Sequence, residues 1–229
     1  MKNLDNGSGK VEDSDWMTND IDVIEVGSAH PGKDLYSESD MQLKADIIEL
    51  RAVFSRDIGS KASIGPMAGF KYQKFSYDIS NVNQVGYGPY NTPTYTVSVP
   101  GLVGTYEVAY DIFYVGISGD FKSGEVFTAT AQAAIAPFAQ AEDRDDHILR
   151  SKLSTCTAAG IAYFLSLGAQ WKLSRVWTTG ITGEYLNIST EGTQHQYFYG
   201  GSLRGTAYDI ADKITSQQLS LAANISLKF

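Results

Sequence analysis

The sequence predicts an all-β fold: an antiparallel transmembrane β-barrel. Three observations carry this reading. Long segments alternate apolar and polar residues, the connections between them are alternately short and long, and the last segment ends on an aromatic residue. The composition agrees. Of 229 residues, 43% are hydrophobic and 12% aromatic, with 14 Tyr and 10 Phe, while only 19% are charged; an average soluble domain has about 25% charged residues. Such a chain is too apolar for intrinsic disorder. No run approaches the roughly 18 consecutive apolar residues of a membrane-spanning helix, so helical membrane proteins are excluded. A net charge of −8 and a pI near 4.8 argue against nucleic acid and favour cationic partners. The single cysteine, Cys156, excludes an internal disulfide framework and a Cys-rich zinc site.

Seven strands are expected, near residues 40–55, 62–78, 103–121, 125–139, 157–173, 176–188 and 213–229. In the first, Ile47-Ile48 interrupts the alternation. In the fifth, Ile161, Tyr163, Leu165, Leu167, Ala169, Trp171 and Leu173 alternate with smaller or polar residues, and in the sixth Trp177, Thr179, Ile181, Gly183 and Tyr185 do the same. The last is the clearest: Leu219, Leu221, Ala223, Ile225, Leu227 and Phe229 form one face, and Gln218, Ser220, Ala222, Asn224, Ser226 and Lys228 the other. Several of these segments exceed the usual five or six residues of soluble strands. Short breaks fall at Arg56–Lys61, Phe121–Gly124 and Lys172–Arg175. Long polar stretches, read as loops, fall at Ser80–Pro100, Gln140–Thr155 and Ser189–Asp212. A soluble barrel or sandwich shares the alternation, but not the asymmetry of the connections. Bacterial single-chain barrels have even strand numbers. An odd count, and a start at Met1–Gly9 without the apolar run of a secretory signal, predict further N-terminal strands, so that residues 1–229 form a single, N-terminally incomplete barrel domain.

In such barrels short turns face the periplasm and long loops the exterior. Counting back from Phe229 puts two acidic clusters on the same outer rim: Glu12-Asp13-Ser14-Asp15-Trp16-Met17 and Glu142-Asp143-Arg144-Asp145-Asp146-His147. In an extended chain residues i and i+2 share a face, so Asp13 pairs with Asp15, and Asp143 aligns with Asp145 and His147. Two neighbouring carboxylates hold a proton between them. An Asp beside a His fixes the ring's tautomer and raises its basicity, which makes His147 a candidate general base. A carboxylate pair facing an Asp–His pair can activate a water held between them. Coordination of Ca²⁺ by Asp143, Asp145 and Asp146 lacks the EF-hand glycine spacing. His195 has no acidic neighbour in sequence and receives no role, and Trp16, Trp171 and Trp177 suit an aromatic belt.

With these residues in view, the chain resembles the omptin family of outer-membrane aspartate–histidine proteases. Asp13-Ser14-Asp15-Trp16-Met17 resembles the family's Asp-x-Asp-Trp-Met block, and Asp143-Arg144-Asp145-Asp146-His147 its Asp-x-Asp-(Asp/Glu)-His block. His30-Pro31, Pro66-Met67-Ala68-Gly69-Phe70 and Tyr114-Val115-Gly116 match further segments in the same order, so the similarity runs from about residue 7 to 229. The resemblance implies a ten-stranded barrel in the bacterial outer membrane with its active site facing the exterior. It implies an aspartic-type endopeptidase that cuts peptide or protein substrates at basic residues. Asp13 and Asp15 would be the Asp pair, Asp145 would orient His147, and His147 would activate water. Asp143 would bind the basic side chain before the cut. It implies no metal or organic cofactor, with lipopolysaccharide as the activating lipid; the matching strand offers Phe70, Tyr72 and Lys74, of which only Lys74 is basic. The family has about three strands before the Asp-x-Asp loop, and three added to seven gives its ten. Two alternatives remain at this point: a passive barrel, adhesin or pore, with an acidic rim, and an inactive truncated member of the family.

Overall fold

The computed structural model describes residues 2–15, 35–88 and 92–227. Among them run nine β-strands: β1 (Lys2–Asp15), β2 (Leu35–Val53), β3 (Arg56–Ile58), β4 (Ala62–Gly88), β5 (Thr92–Ser123), β6 (Phe127–His147), β7 (Lys152–Lys172), β8 (Trp177–Phe198) and β9 (Ala207–Leu227). They form one antiparallel sheet in the order β1-β2-β4-β5-β6-β7-β8-β9, and the short β3 continues β2 along β4. The sheet is open, with β1 and β9 at its edges. It is nonetheless curled: Gln73 on β4 and Gln218 on β9 exchange side-chain amide hydrogen bonds of 2.9 and 3.0 Å across the interior.

Each strand separates two environments. On β7, Ile161, Tyr163, Leu165 and Leu167 point outward and are exposed, while Ala158, Ala162, Phe164 and Ser166 point inward and are buried. The same outer face recurs as Phe113, Val115 and Ile117 on β5 and Leu219, Leu221 and Ile225 on β9. Together these residues make an apolar belt that begins at the tight turns and ends near Phe113, Phe138, Ile161 and Tyr185. Trp171 and Trp177 stand partly exposed at its turn-side border, the position of an interfacial aromatic girdle. Beyond the belt the outer positions turn polar: Glu142 and Arg144 on β6, Thr155 and Thr157 on β7, Ser189 and Glu191 on β8. About 9–11 residues of a tilted strand cross a bilayer, whereas β2 holds 19 and β5 holds 32. The far halves of the strands therefore rise clear of the belt.

The interior at belt depth carries a charged network. Arg51 on β2 bonds Glu49 and Tyr114, and its Nη1 donates to Gln132 on β6. Its Nη2 stands 3.4 Å from Glu184 on β8. Lys71 on β4 stands 3.4 Å from Glu49 and 4.0 Å from Glu184. Two cations thus meet two carboxylates over the ring of Phe164, which Arg51 approaches to 4.9 Å and which stacks on Tyr114. Where strands approach closely, side chains are absent: a Cβ on Gly160 would come within 2.0 Å of the Ser189 carbonyl oxygen. Opposite it, the β6–β7 register shifts between Ala136 and Ala139. That bulge accommodates Pro137, which cannot donate to a ladder.

Several expectations are corrected. All seven expected strands exist, but they are longer, and β1 and β3 join them. Residues 2–15 are not an outer loop but a strand paired with β2. The polar stretches Ser80–Pro100, Gln140–Thr155 and Ser189–Asp212 are largely strand: the β7–β8 ladder continues without a register shift from Lys172↔Thr178 to Lys152↔Phe198. The physical reason is that both faces of these upper halves are polar, so the ladder persists while the hydrophobic alternation vanishes. The Ile47-Ile48 pair likewise does not break β2, whose pairing with β4 runs through it. Phe229 lies outside the described residues.

Three substitutions test the belt and its interior. Leu165→Lys should lower folding stability in lipid vesicles by about 2–4 kcal/mol, while Thr157→Lys on the same face should cost about 0–1; equal urea midpoints would refute the assignment. Arg51→Ala leaves the carboxylates of Glu49 and Glu184 undercompensated and should cost about 3–5 kcal/mol by the same measurement.

Candidate active site

Above the belt, the inner face of β6 carries Asp143, Asp145 and His147 in succession, and the outer face carries Glu142, Arg144 and Asp146. The alternation of the strand alone brings Asp145 and His147 together: Oδ2 of Asp145 and Nε2 of His147 are 2.7 Å apart. An ionised carboxylate only accepts, so the Nε2–H of His147 donates to Asp145. Asp146 takes no part in this dyad; it accepts a hydrogen bond of 2.8 Å from the Tyr199 hydroxyl. A 3-10 turn at Ile148–Arg150 follows directly and ends on Ser151, in the left-handed region at φ 49°.

Asp145 and His147 line an open cleft of about 740 Å³. Its other side is built by β1 and β2, with Val11, Glu12, Leu35, Ser37 and Ser39, and Tyr77 and Tyr106 also line it. In the β1–β2 ladder Asp13 is opposite Ser37 and Asp15 opposite Leu35. Ser37 and Leu35 both line the cleft; the side chains of Asp13 and Asp15 lie outside the described residues. Of the two acidic blocks expected to share a rim, Glu12 on β1 and the Asp145–His147 pair on β6 line this cleft. Trp16, Met17, His30 and Pro31 lie outside the described residues.

Asp143 stands one step deeper than the dyad. Its Oδ2 accepts a long hydrogen bond of 3.5 Å from the Tyr106 hydroxyl, while its Oδ1 is buried without a hydrogen-bond partner. Burial first, and the charges of Asp212 and Asp145 after it, push the Asp143 carboxyl up to about 6, against a backbone hydrogen bond at Cys156 that lowers it. Asp212 comes from β9. Its carboxylate accepts from Gln194 at 3.4 Å and from the Lys213 backbone N–H at 2.8 Å. Between Asp143 and Asp212 lies Cys156, paired with Asp143 in the β6–β7 ladder and 3% exposed. Burial and the two carboxylates push its thiol up to about 11.

The sequence singles out neither Tyr106 nor Asp212 and assigns Cys156 no role in the site. Each is a long-range neighbour of Asp143, visible only once β5, β7 and β9 are in register. His195 shows the same limit. The chain gives it no acidic neighbour, yet the β8–β9 ladder sets it opposite Asp209, 2.5 Å away on the exposed outer face. Lys74 also gains a partner across strands, Glu107 at 2.9 Å.

A raised carboxyl value means that the fold binds the Asp143 proton more tightly than the unfolded chain does. Its contribution is present in full below the unfolded value of about 4 and is lost as pH rises through about 6. Asp143→Asn should therefore stabilise the protein by about 1 kcal/mol above pH 7, a figure reduced for partial exposure, and leave it unchanged at pH 4. Urea midpoints at both pH values decide; a pH-independent effect would refute the assignment.

A model described as the Omptin family matches residues 1–185. The plasminogen activator of Yersinia pestis is 26% identical over 165 residues, 70% of this chain and 48% of that protein, so the chain spans about half the length of this relative. The crystal structure of the outer membrane protease OmpT from Escherichia coli matches with a TM-score of 0.77 at 16% identity, over 97% of this chain and 75% of that one. That structural likeness is one of fold, a transmembrane β-barrel. Since the family model covers most of the sequence, the chain belongs to the omptin family.

Proposed function

We propose that this chain acts as an outer-membrane endopeptidase, its active site facing the cell exterior, that hydrolyses peptide or protein substrates at basic residues. The observation that carries the reading is the 2.7 Å Asp145–His147 pair opening on a cleft whose other side is registered to Asp13 and Asp15. The named relatives are described as a plasminogen activator and an outer membrane protease, which supports the same class of reaction.

In this reading a water sits between the two pairs. Nδ1 of His147 takes its proton while the oxygen adds to the scissile carbonyl carbon. Asp145 stabilises the imidazolium that forms. The proton shared by Asp13 and Asp15 is donated as a hydrogen bond to the developing oxyanion. The imidazolium then returns its proton to the departing amine, which leaves a carboxyl product and restores neutral His147. Asp143, with an oxygen that lacks a donor, receives the cationic side chain before the cut, and the acidic chain steers cationic substrates toward the rim. Lipopolysaccharide belongs to this reading as an activating lipid on the outer face at Phe70, Tyr72 and Lys74, where Lys74 is already engaged by Glu107. A conducting pore is disfavoured by the network of Arg51, Lys71, Glu49 and Glu184 across the interior.

The test is cleavage of a dibasic peptide by the protein refolded in detergent, with and without lipopolysaccharide. His147→Ala and Asp145→Ala should each lower kcat by about 10²–10⁴-fold while the far-ultraviolet β signal persists. Turnover that survives His147→Ala would sink the mechanism. Binding of the peptide without turnover by the unsubstituted chain would establish a passive barrel or an inactive family member instead.

A further inference from the structure

Below the dyad, the packing of β6, β7 and β9 gathers a second set of groups. One carboxylate oxygen of Asp143, Sγ of Cys156 and one carboxylate oxygen of Asp212 all lie within 4.8 Å of one another. The three come from different strands and meet only inside the curled sheet. They combine hard oxygen donors with a soft sulfur. The set also shows an unmet demand. Asp143 Oδ1 is buried and accepts no hydrogen bond, although a buried carboxylate oxygen without a donor is costly. On the same inner face of β7, two residues from Cys156, the Ser154 hydroxyl is wholly buried and also lacks a partner. Orphaned polar atoms beside a cysteine indicate a ligand that supplies positive charge and takes donors.

We propose that Asp143, Cys156 and Asp212 form a binding site for a zinc-like divalent cation. Zn²⁺ takes thiolate sulfur at about 2.3 Å and carboxylate oxygen at about 2.0–2.2 Å. Tetrahedral ligands at those lengths stand about 3.5 Å apart, so each side chain closes by about an ångström on binding. Ca²⁺ and Mg²⁺ are poorer candidates, because both prefer all-oxygen shells. Binding expels the thiol proton to solvent, and three protein ligands leave one position for water. Asp143 and Asp212 are partly exposed and give the ion its path, while Cys156 is buried behind them. An ion held there engages Asp143 and withdraws it from a cationic side chain. The site rests on strand packing and does not depend on peptide cleavage.

Cobalt is the probe, since thiolate coordination to Co²⁺ gives a near-ultraviolet charge-transfer absorption. Titrating Co²⁺ into the full chain refolded in detergent should produce that band, saturating at one ion per chain, and Zn²⁺ should displace it. Cys156→Ser should abolish the band. Asp212→Asn, on an edge strand, should weaken Co²⁺ binding about tenfold or more and serves where the cysteine variant fails to fold. His147→Ala should lose cleavage yet bind Co²⁺ as the unsubstituted chain does, which separates this site from the hydrolytic one. Absence of the band, its survival in Cys156→Ser, unchanged affinity in Asp212→Asn or its loss in His147→Ala would each overturn the proposal.

Discussion

Within an apolar belt no water is available, so every backbone N–H and C=O must find its partner on a neighbouring strand. That constraint sets the rest of the molecule. A continuous antiparallel ladder fixes a period of two, and a period of two gives each strand one lipid-suited face and one interior face. Leu165 and Phe164 are adjacent in sequence and meet opposite environments: one is half exposed on the belt, the other buried beneath Arg51 and against Tyr114. The interior then needs its own solution. It is filled by two cations and two carboxylates whose charges balance, held by Tyr114 and Gln132. A charge at that depth is tolerable only in such company.

The same ladder delivers the site. Asp145 and His147 meet because they are two residues apart on an extended strand, and the backbone of Asp13 and Asp15 is registered to Ser37 and Leu35, which line the same cleft. Building on strands rather than on free loops fixes such geometry closely: Asp145 is held between its ladder partners Tyr106 and Ser154. The upper strand halves, freed from lipid, keep the hydrogen bonds and exchange apolar outer residues for polar ones. The candidate site therefore sits on the continuation of the membrane scaffold.

This explains what could be read from the chain and what could not. Ile161–Leu173 and Leu219–Leu227 announce themselves, because lipid on one side and interior on the other write a hydrophobic alternation. Residues 189–198 do not: Glu191, Thr193 and His195 outside face Thr190, Gln194 and Gln196 inside, and no period survives although the ladder does. Strand β1 is hidden for the same reason. The Asp143–Asp145–His147 set was legible since its logic is local. Asp212, Tyr106 and Asp209 were not, because their relations to Asp143 and His195 depend on which strands are neighbours, and local sequence does not carry that.

The inner face of β6 also shows how one strand gives identical side chains different work. Asp145 and Asp143 are two residues apart and chemically the same. Asp145 opens on the cleft and is engaged by an imidazole N–H. Asp143 sits deeper, beside Asp212 and Cys156, with one oxygen lacking any donor, and burial holds its proton up to about 6. A carboxyl so placed is weakly committed near neutrality: it is ready to exchange its proton for a cation that brings its own hydrogen bonds. A guanidinium, an ammonium or a metal ion each satisfies that demand. The selection among them falls to the third neighbour, since a thiol beside two carboxylates favours a soft ion over a nitrogen cation. Cys156 is thus the residue whose replacement tests the proposed metal site, because serine nearly keeps the size and removes the sulfur.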